Sequence, residues 1–125
     1  MYIYYNVKTD YLEIMYTKTS TYGEIRKNGI IYFKSNNTDK IVGYGIEDAS
    51  SRMDKILFFT PFEKLSIIIK MSRIKHGYTQ IEVAKKMGIK LLPYQRLESG
   101  TNNPTLKTLI KLKEVLPEIE LSKVA

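Results

Sequence analysis

The 125-residue sequence has no cysteine and a single histidine, His76. Without cysteine, disulfide bonds, thiolate metal sites and cysteine nucleophiles are excluded, and a reducing compartment is permitted. The longest apolar run falls far short of the roughly 18 residues that a membrane span needs. Met1 leads directly into alternating tyrosine and isoleucine, so we expect no signal peptide. These absences predict a cytoplasmic protein with no membrane partner.

The sequence also lacks the residue sets that catalysis and metal binding need. It has no glycine-rich phosphate loop and no serine or carboxylate pair at a motif spacing. Glu47, Asp48 and Asp54 are acidic, but no histidine or fourth oxygen ligand accompanies them, so a helix cap and solvated charges explain them better than a metal site. His76 falls at the predicted end of a helix, where it can interact with the helix dipole. We therefore predict no enzyme, no cofactor and no metal.

The positive charge is unevenly distributed along the chain. Residues 1–60 contain eight Lys and Arg against seven Asp and Glu, a net charge of +1, whereas residues 61–125 contain twelve against six, a net charge of +6. A basic excess confined to one half is typical of a phosphate-binding module joined to a part with another role. We therefore predict a boundary near residue 60.

The first 60 residues have the pattern of strands. Segments 2–7, 11–16, 30–34 and 41–46 are rich in β-formers or alternate apolar and polar residues, and residues 17–29 read as a polar loop. Asp48 is placed to cap a short helix. The prediction for residues 1–60 is a small four-stranded antiparallel β-meander with one short helix. The domain would bind a partner or form a dimer.

Residues 79–100 predict two helices joined by a tight turn. Thr79 and Glu82 have the spacing of a capping box, in which the Thr hydroxyl accepts from the Glu backbone N–H while the Glu carboxylate accepts from the backbone N–H of the cap. The first helix therefore starts at Gln80, and it ends at Gly88, where a left-handed residue is readily accommodated. The apolar stripes of the two helices can meet only if the helices cross steeply.

These residues resemble a known family. The pattern Q-x3-A-x3-G-[IV] from Gln80 to Ile89, followed by R-L-E-S-G from Arg96 to Gly100, is similar to the helix-turn-helix of Cro/CI-type (Xre) repressors. Over residues 62–123 the chain resembles, in particular, the DNA-binding half of HicB-type antitoxins. The resemblance implies a five-helix DNA-binding domain, and apolar spacing places its last helix at 119–124. The fold class is then α+β, with a β-rich domain at 1–60 and the helix-turn-helix domain at 61–125.

The N-terminal half has a resemblance of its own. The stretch GIIYFKSNNTDKIVGYGIEDASSRM is similar to a widespread small bacterial β-domain family of unassigned function, and it differs from the N-terminal domain that HicB antitoxins usually carry. Eight of the ten tyrosines lie in the first 60 residues. They either fill the faces of a small sheet or form an aromatic surface for a protein partner or RNA.

In the resembling fold, the helix that begins near Lys90 lies in the DNA major groove. The motif implies five base-reading residues: Lys90, Leu91, Leu92, Gln95 and Arg96. It implies phosphate contacts at the N-termini of the neighbouring helices: Thr79, Gln80, Asn102, Asn103 and Thr105. Arg96 can chelate guanine, Gln95 can pair with adenine or a phosphate, and Lys90 suits a phosphate or guanine.

Leu91 and Leu92 depart from the polar residues usual at these positions. They would contact thymine methyl groups, or they would contact a dimer or protein partner; the sequence supports both readings. Pro93 is tolerated because the first helical turn has no N–H bonds to lose. The resemblance also implies a structural ion pair between Arg73 and Glu98.

Three functions fit these observations. The first is a DNA-binding antitoxin of a type II toxin–antitoxin system, which represses its operon and neutralises a toxin through residues 1–60. The second is a plain Xre-family regulator whose N-terminal domain dimerises or senses a ligand. The third, less favoured, is a helix-turn-helix that binds protein only. The expected partners are double-stranded DNA with an inverted-repeat operator, a toxin, and a second copy of the chain in a homodimer or a higher even oligomer.

Overall fold

The computed structural model describes four stretches of the chain, namely residues 1–18, 22–36, 38–101 and 103–121. It divides into two compact units, a sheet unit at Met1–Ile56 and a helical unit at Leu57–Ala125. The predicted α+β class is confirmed. No helix of the described residues is long and apolar enough to cross a membrane.

The sheet unit contains five antiparallel strands in the order β1-β2-β5-β4-β3. Their bounds are β1 Tyr2–Asn6, β2 Tyr11–Met15, β3 Tyr22–Lys27, β4 Ile30–Ser35 and β5 Ile41–Ile46. The predicted four-stranded meander is therefore wrong in two respects: a fifth strand exists, and β2 pairs with β5. Leu12, Ile14 and Ile46 are completely buried and form part of the core of this unit.

The missed strand β3 lies inside the segment that was predicted to be a loop. It is an edge strand that pairs only with β4, and residues 23–27 are exposed, so no buried face imposes an alternation of apolar and polar residues. The turn between the two strands is Asn28-Gly29, and both residues have positive φ angles of 55° and 77°. This dipeptide is the turn that two-residue hairpins favour, so it was the available signal for β3.

A four-residue helix α1, Ala49–Arg52, follows β5 and continues into a single 3-10 turn, Met53–Lys55. Asp48 precedes α1 but its side chain makes no capping hydrogen bond, so the predicted cap is wrong. The carboxylate of Asp10 accepts from the backbone N–H of Ser50 instead, and the hydroxyl of Tyr5 donates to the same carboxylate at 2.6 Å. The cap is supplied from the turn between β1 and β2, forty residues away in sequence.

Within the described residues, the helical unit contains four α-helices: α2 Pro61–His76, α3 Gln80–Met87, α4 Leu91–Ser99 and α5 Leu106–Val115. Helix α2 begins at Pro61, because Thr60 and Glu63 form a capping box around a proline at the first helical position. The buried side chains of all four helices meet in one core. It contains Leu65, Ile69, Val83, Ala84, Met87, Tyr94, Leu97, Leu112, Leu116 and Ile119.

The end of the chain differs from the predicted fifth helix at 119–124. Ile119 is a buried core residue, but neither it nor Glu120 is helical, and residues 122–124 lie outside the described part of the structure. Glu118 ties this segment to α2, since it accepts hydrogen bonds from Ser72 and from His76, the latter at 2.8 Å. Burial opposes ionisation of Glu118, but these two bonds, together with a backbone hydrogen bond and the charge of His76, hold its pKa below the ordinary value of 4.5.

Candidate nucleic-acid interface

Helix α3 is capped at both ends, and its C-terminal cap forms the turn to α4. Thr79 Oγ1 accepts from the backbone N–H of Glu82 and the Glu82 carboxylate accepts from the backbone N–H of Thr79, each at 3.1 Å, which confirms the predicted capping box. Gly88 ends the helix with φ 71°, and the following N–H, of Ile89, donates to Ala84 O at 3.0 Å. These bonds determine the direction in which α4 begins.

Helix α4 has one buried side and one exposed side. Tyr94, Leu97 and Glu98 are buried, whereas Leu92 and Arg96, one turn apart, are exposed. Lys90, which precedes the first turn, is exposed as well, and the other two predicted base-reading residues, Leu91 and Gln95, are half-buried. The exposed residues at the start and along the outer side of α4 therefore include two cations, Lys90 and Arg96, and the apolar side chain of Leu92.

The N-terminus of α4 differs from those of its neighbours. Threonine side chains cap α2, α3 and α5, but Lys90 makes no side-chain cap for α4. Pro93 occupies the third helical position and has no N–H to donate. The backbone N–H groups of Leu91 and Leu92 are thus left for an external acceptor such as a phosphate oxygen.

The only carboxylate of α4 is neutralised in the interior. Arg73 Nε and Nη2 donate to the two Glu98 oxygens at 2.6 and 3.2 Å, and Arg73 Nη1 donates to Tyr78 O at 2.9 Å. The side chains of Arg73 and Glu98 are 12% and 4% exposed. The structure thus brings together the two residues of the predicted pair, and it leaves only positive charge on the exposed side of α4.

Both glutamines extend this buried pair toward the surface. Gln80 Nε2 donates to Glu98 Oε1 at 3.2 Å, and Gln95 Nε2 donates to Gln80 Oε1 at 3.1 Å. Gln80 and Gln95 were predicted as a phosphate contact and a base reader on separate helices. The structure brings them into direct contact.

Other polar groups surround the same buried region. Ser66 Oγ donates to Leu97 O at 2.9 Å and attaches α4 to α2. The hydroxyl of Tyr94 is buried without a hydrogen-bond partner in the described part of the chain, and burial followed by the Glu98 charge raises its pKa. Burial also lowers the pKa of Lys70, although Glu98 opposes the shift. The sequence patterns gave no sign of these contacts, because they join residues from different helices.

The predicted phosphate contacts have different environments in the structure. The hydroxyls of Thr79 and Thr105 act as helix caps, the latter by accepting from Thr108 N at 3.2 Å. Asn103 is exposed beside the start of α5. Asn102 lies outside the residues that the structure describes.

Comparison with known proteins identifies the C-terminal part of the chain. Residues 69–124 match the family model described as Helix-turn-helix. This part is a helix-turn-helix domain. The matched residues contain the second half of α2 together with α3, α4 and α5.

Two curated relatives carry the name Antitoxin HipB. The protein from Escherichia coli strain K12 is 39% identical over 59 residues, which cover 47% of this chain and 64% of the relative. The protein from Escherichia coli O6:H1 strain CFT073 is 37% identical over 59 residues, which cover 47% of this chain and 60% of the relative. The chain thus spans less than two thirds of the length of these relatives. No solved structure gives a significant match.

The comparisons support the Cro/CI-type helix-turn-helix resemblance. The matched antitoxins are named HipB, so the narrower HicB-type resemblance stays a prediction, as does the resemblance of the N-terminal β-domain. The assignment of individual base-reading and phosphate-binding roles also stays a prediction.

Proposed function

We propose that this chain is the DNA-binding antitoxin of a type II toxin–antitoxin system. It represses its own operon through the helical unit and neutralises a cognate toxin through the sheet unit. The observation that carries the DNA-binding part is the exposed side of α4, where Leu92 and Arg96 are exposed one turn apart and Lys90 precedes a helix N-terminus that has no side-chain cap. The antitoxin part rests on the similarity to two HipB antitoxins.

The roles on α4 follow from side-chain chemistry. Arg96 is exposed and positively charged, which suits a bidentate contact to guanine O6 and N7. Lys90 lies where α4 begins and contacts a phosphate or guanine. Leu92 is 56% exposed and lies one helical turn before Arg96, so we assign it to a thymine methyl group. Leu91 is half-buried and contributes less.

The free N–H groups of the first turn of α4 bind a phosphate, as do Asn103 and the segment that leads into α5. Phosphate contacts of this kind carry no sequence information and fix the orientation of the domain on the duplex. Two copies related by a two-fold axis would place their α4 helices about 34 Å apart, one turn of DNA. We therefore propose a homodimer on an inverted-repeat operator, in the cytoplasm.

A second candidate is a plain transcriptional regulator whose sheet unit dimerises or senses a ligand. The specific observation in its favour is that the similarity to the antitoxins covers 47% of this chain, which is the length of a DNA-binding domain alone. A DNA-binding domain alone fits an antitoxin and a regulator equally well.

Co-expression with the product of the adjacent gene distinguishes the two candidates. The antitoxin proposal predicts that tagged full-length protein captures this product and restores growth to cells that express it. Arg96→Ala should impair operator binding but still capture and neutralise the product, because Arg96 lies in the helical unit. Operator binding without capture or neutralisation would refute the antitoxin proposal and favour the plain regulator.

A further inference from the structure

The two glutamines of the chain belong to one series of hydrogen bonds. The series consists, in order, of Arg73, Glu98, Gln80 and Gln95. At one end is a charge pair that is almost inaccessible to solvent, and at the other is the half-buried side chain of Gln95, next to the exposed Arg96. A side chain on the proposed DNA-binding helix is thus connected to a buried charge.

The chemistry of the groups fixes the orientation of each amide in turn. A carboxylate accepts hydrogen bonds only, so Glu98, which already receives two from Arg73, requires the Nε2 group of Gln80 to face it. Gln80 Oε1 then points away from Glu98. An amide oxygen also accepts only, so Gln95 must present its own Nε2 to Gln80. Oε1 of Gln95 makes no hydrogen bond to any described residue.

We propose that Gln80 is a positioning residue that holds Gln95 with its amide oxygen toward the DNA, which makes Gln95 selective for adenine over guanine and thymine. This inference rests on the proposed DNA binding and adds to it the base that one residue reads. Gln80 would then act through Gln95, in addition to any phosphate contact made with its remaining N–H.

The preference follows from the groups that each base presents in the major groove. Adenine offers the N6 donor and the N7 acceptor, whereas guanine N7 and O6 and thymine O4 are all acceptors. Oε1 of Gln95 accepts from N6, and its second Nε2 hydrogen, which Gln80 does not use, donates to N7. Cytosine offers a donor but no N7 and ranks second. An amide free to rotate would also donate to guanine or thymine, and the bond to Gln80 prevents that rotation.

The test begins with full-length protein and a library of duplexes that carry a randomised stretch of about two helical turns. After selection, the dissociation constant is measured with each of the four bases at every position of the enriched site. Gln95→Ala identifies the position that Gln95 reads, where wild-type protein should favour adenine over guanine by about 5- to 100-fold. Gln80→Met should lower this ratio toward equality and leave the base ratios at other positions unchanged.

A phosphate contact gives a different result, because it weakens binding to every sequence alike. Asn103→Ala is the control for that behaviour. If Gln80→Met also reduces affinity by one common factor for all four bases, Gln80 contacts only phosphate and the inference is wrong. Selection that enriches no sequence would instead contradict the proposed DNA binding itself.

A measurement on the unmodified protein covers the case in which Gln80→Met fails to fold. Selective 15N labelling of glutamine gives side-chain signals from two residues only, Gln80 and Gln95. The inference predicts that one NH2 proton of each residue exchanges more slowly than that of an exposed amide, because Glu98 and Gln80 hold them. Rapid exchange of all four protons would overturn it.

Discussion

Removal of Arg73 leaves a buried carboxylate without its charge partner. Arg73→Met keeps much of the side-chain volume and abolishes the two hydrogen bonds to Glu98 and the one to Tyr78 O. Breaking a buried ion pair in this way costs about 3–5 kcal/mol, since the remaining charge stays desolvated. Gln80 still donates to Glu98, so we expect the lower end of this range, about 3 kcal/mol.

Urea unfolding followed at 222 nm measures this cost, because nearly all of the helix lies in the helical unit. Arg96→Met is the matched control: Arg96 lies in the same unit as Arg73 but its side chain is exposed, so the loss of unfolding free energy should be below about 1 kcal/mol. The double variant Arg73→Met/Glu98→Leu should be less destabilised than Arg73→Met, since neither charge then remains.

Two results would refute this reasoning. One is an unfolding free energy for Arg73→Met that falls no further than that for Arg96→Met, which would mean that water reaches the Arg73–Glu98 pair. The other is a double variant whose loss equals the sum of the two single losses, which would mean that the two charges do not interact.

Three further predictions concern the DNA contact and the C-terminal segment. Replacing thymine by uracil at the base that Leu92 contacts should weaken DNA binding about fourfold, which is the effect of one buried methyl group. Leu92→Ala should remove this sensitivity to the thymine methyl group. If the replacement has no effect at any thymine, Leu92 contacts a protein instead. The free energy of unfolding should fall as the pH drops from about 4.5 through the lowered pKa of Glu118, because the unfolded chain binds a proton at this carboxylate more readily than the folded chain does. In acid unfolding curves, Glu118→Gln should make this fall less steep. Operator affinity should fall by about 0.9 log unit per phosphate contact for each tenfold rise in salt, and a flat titration would contradict phosphate binding by the helical unit.

Features set by neighbouring residues were predictable from the sequence. The capping box of Thr79 and Glu82, the left-handed Gly88 and the cap at Thr105 each depend on a few consecutive residues, and all three occur in the structure. The T-P-x-E spacing from Thr60 to Glu63 carried the same kind of signal for α2. Local hydrogen bonding determines such features, so their spacing alone is informative.

Features set by tertiary contacts were not predictable in this way. Residues 23–27 of β3 are all exposed, so they lack the hydrophobic pattern that revealed the other strands. The cap of α1 comes from Asp10, which only the fold brings near Ser50. The bond between Gln80 and Gln95 joins two helices whose relative rotation no spacing specifies.

The exposed side of α4 is the surface that we propose reads DNA bases, and Arg96 is the side chain on it that can contact guanine. The measurement is the affinity of full-length wild-type protein and of Arg96→Ala for the selected operator and for random DNA at one salt concentration. We expect Arg96→Ala to lose about 1–3 kcal/mol on the operator, to relax one base position, and to lose much less on random DNA. An equal loss on both DNAs would contradict the claim that α4 reads bases.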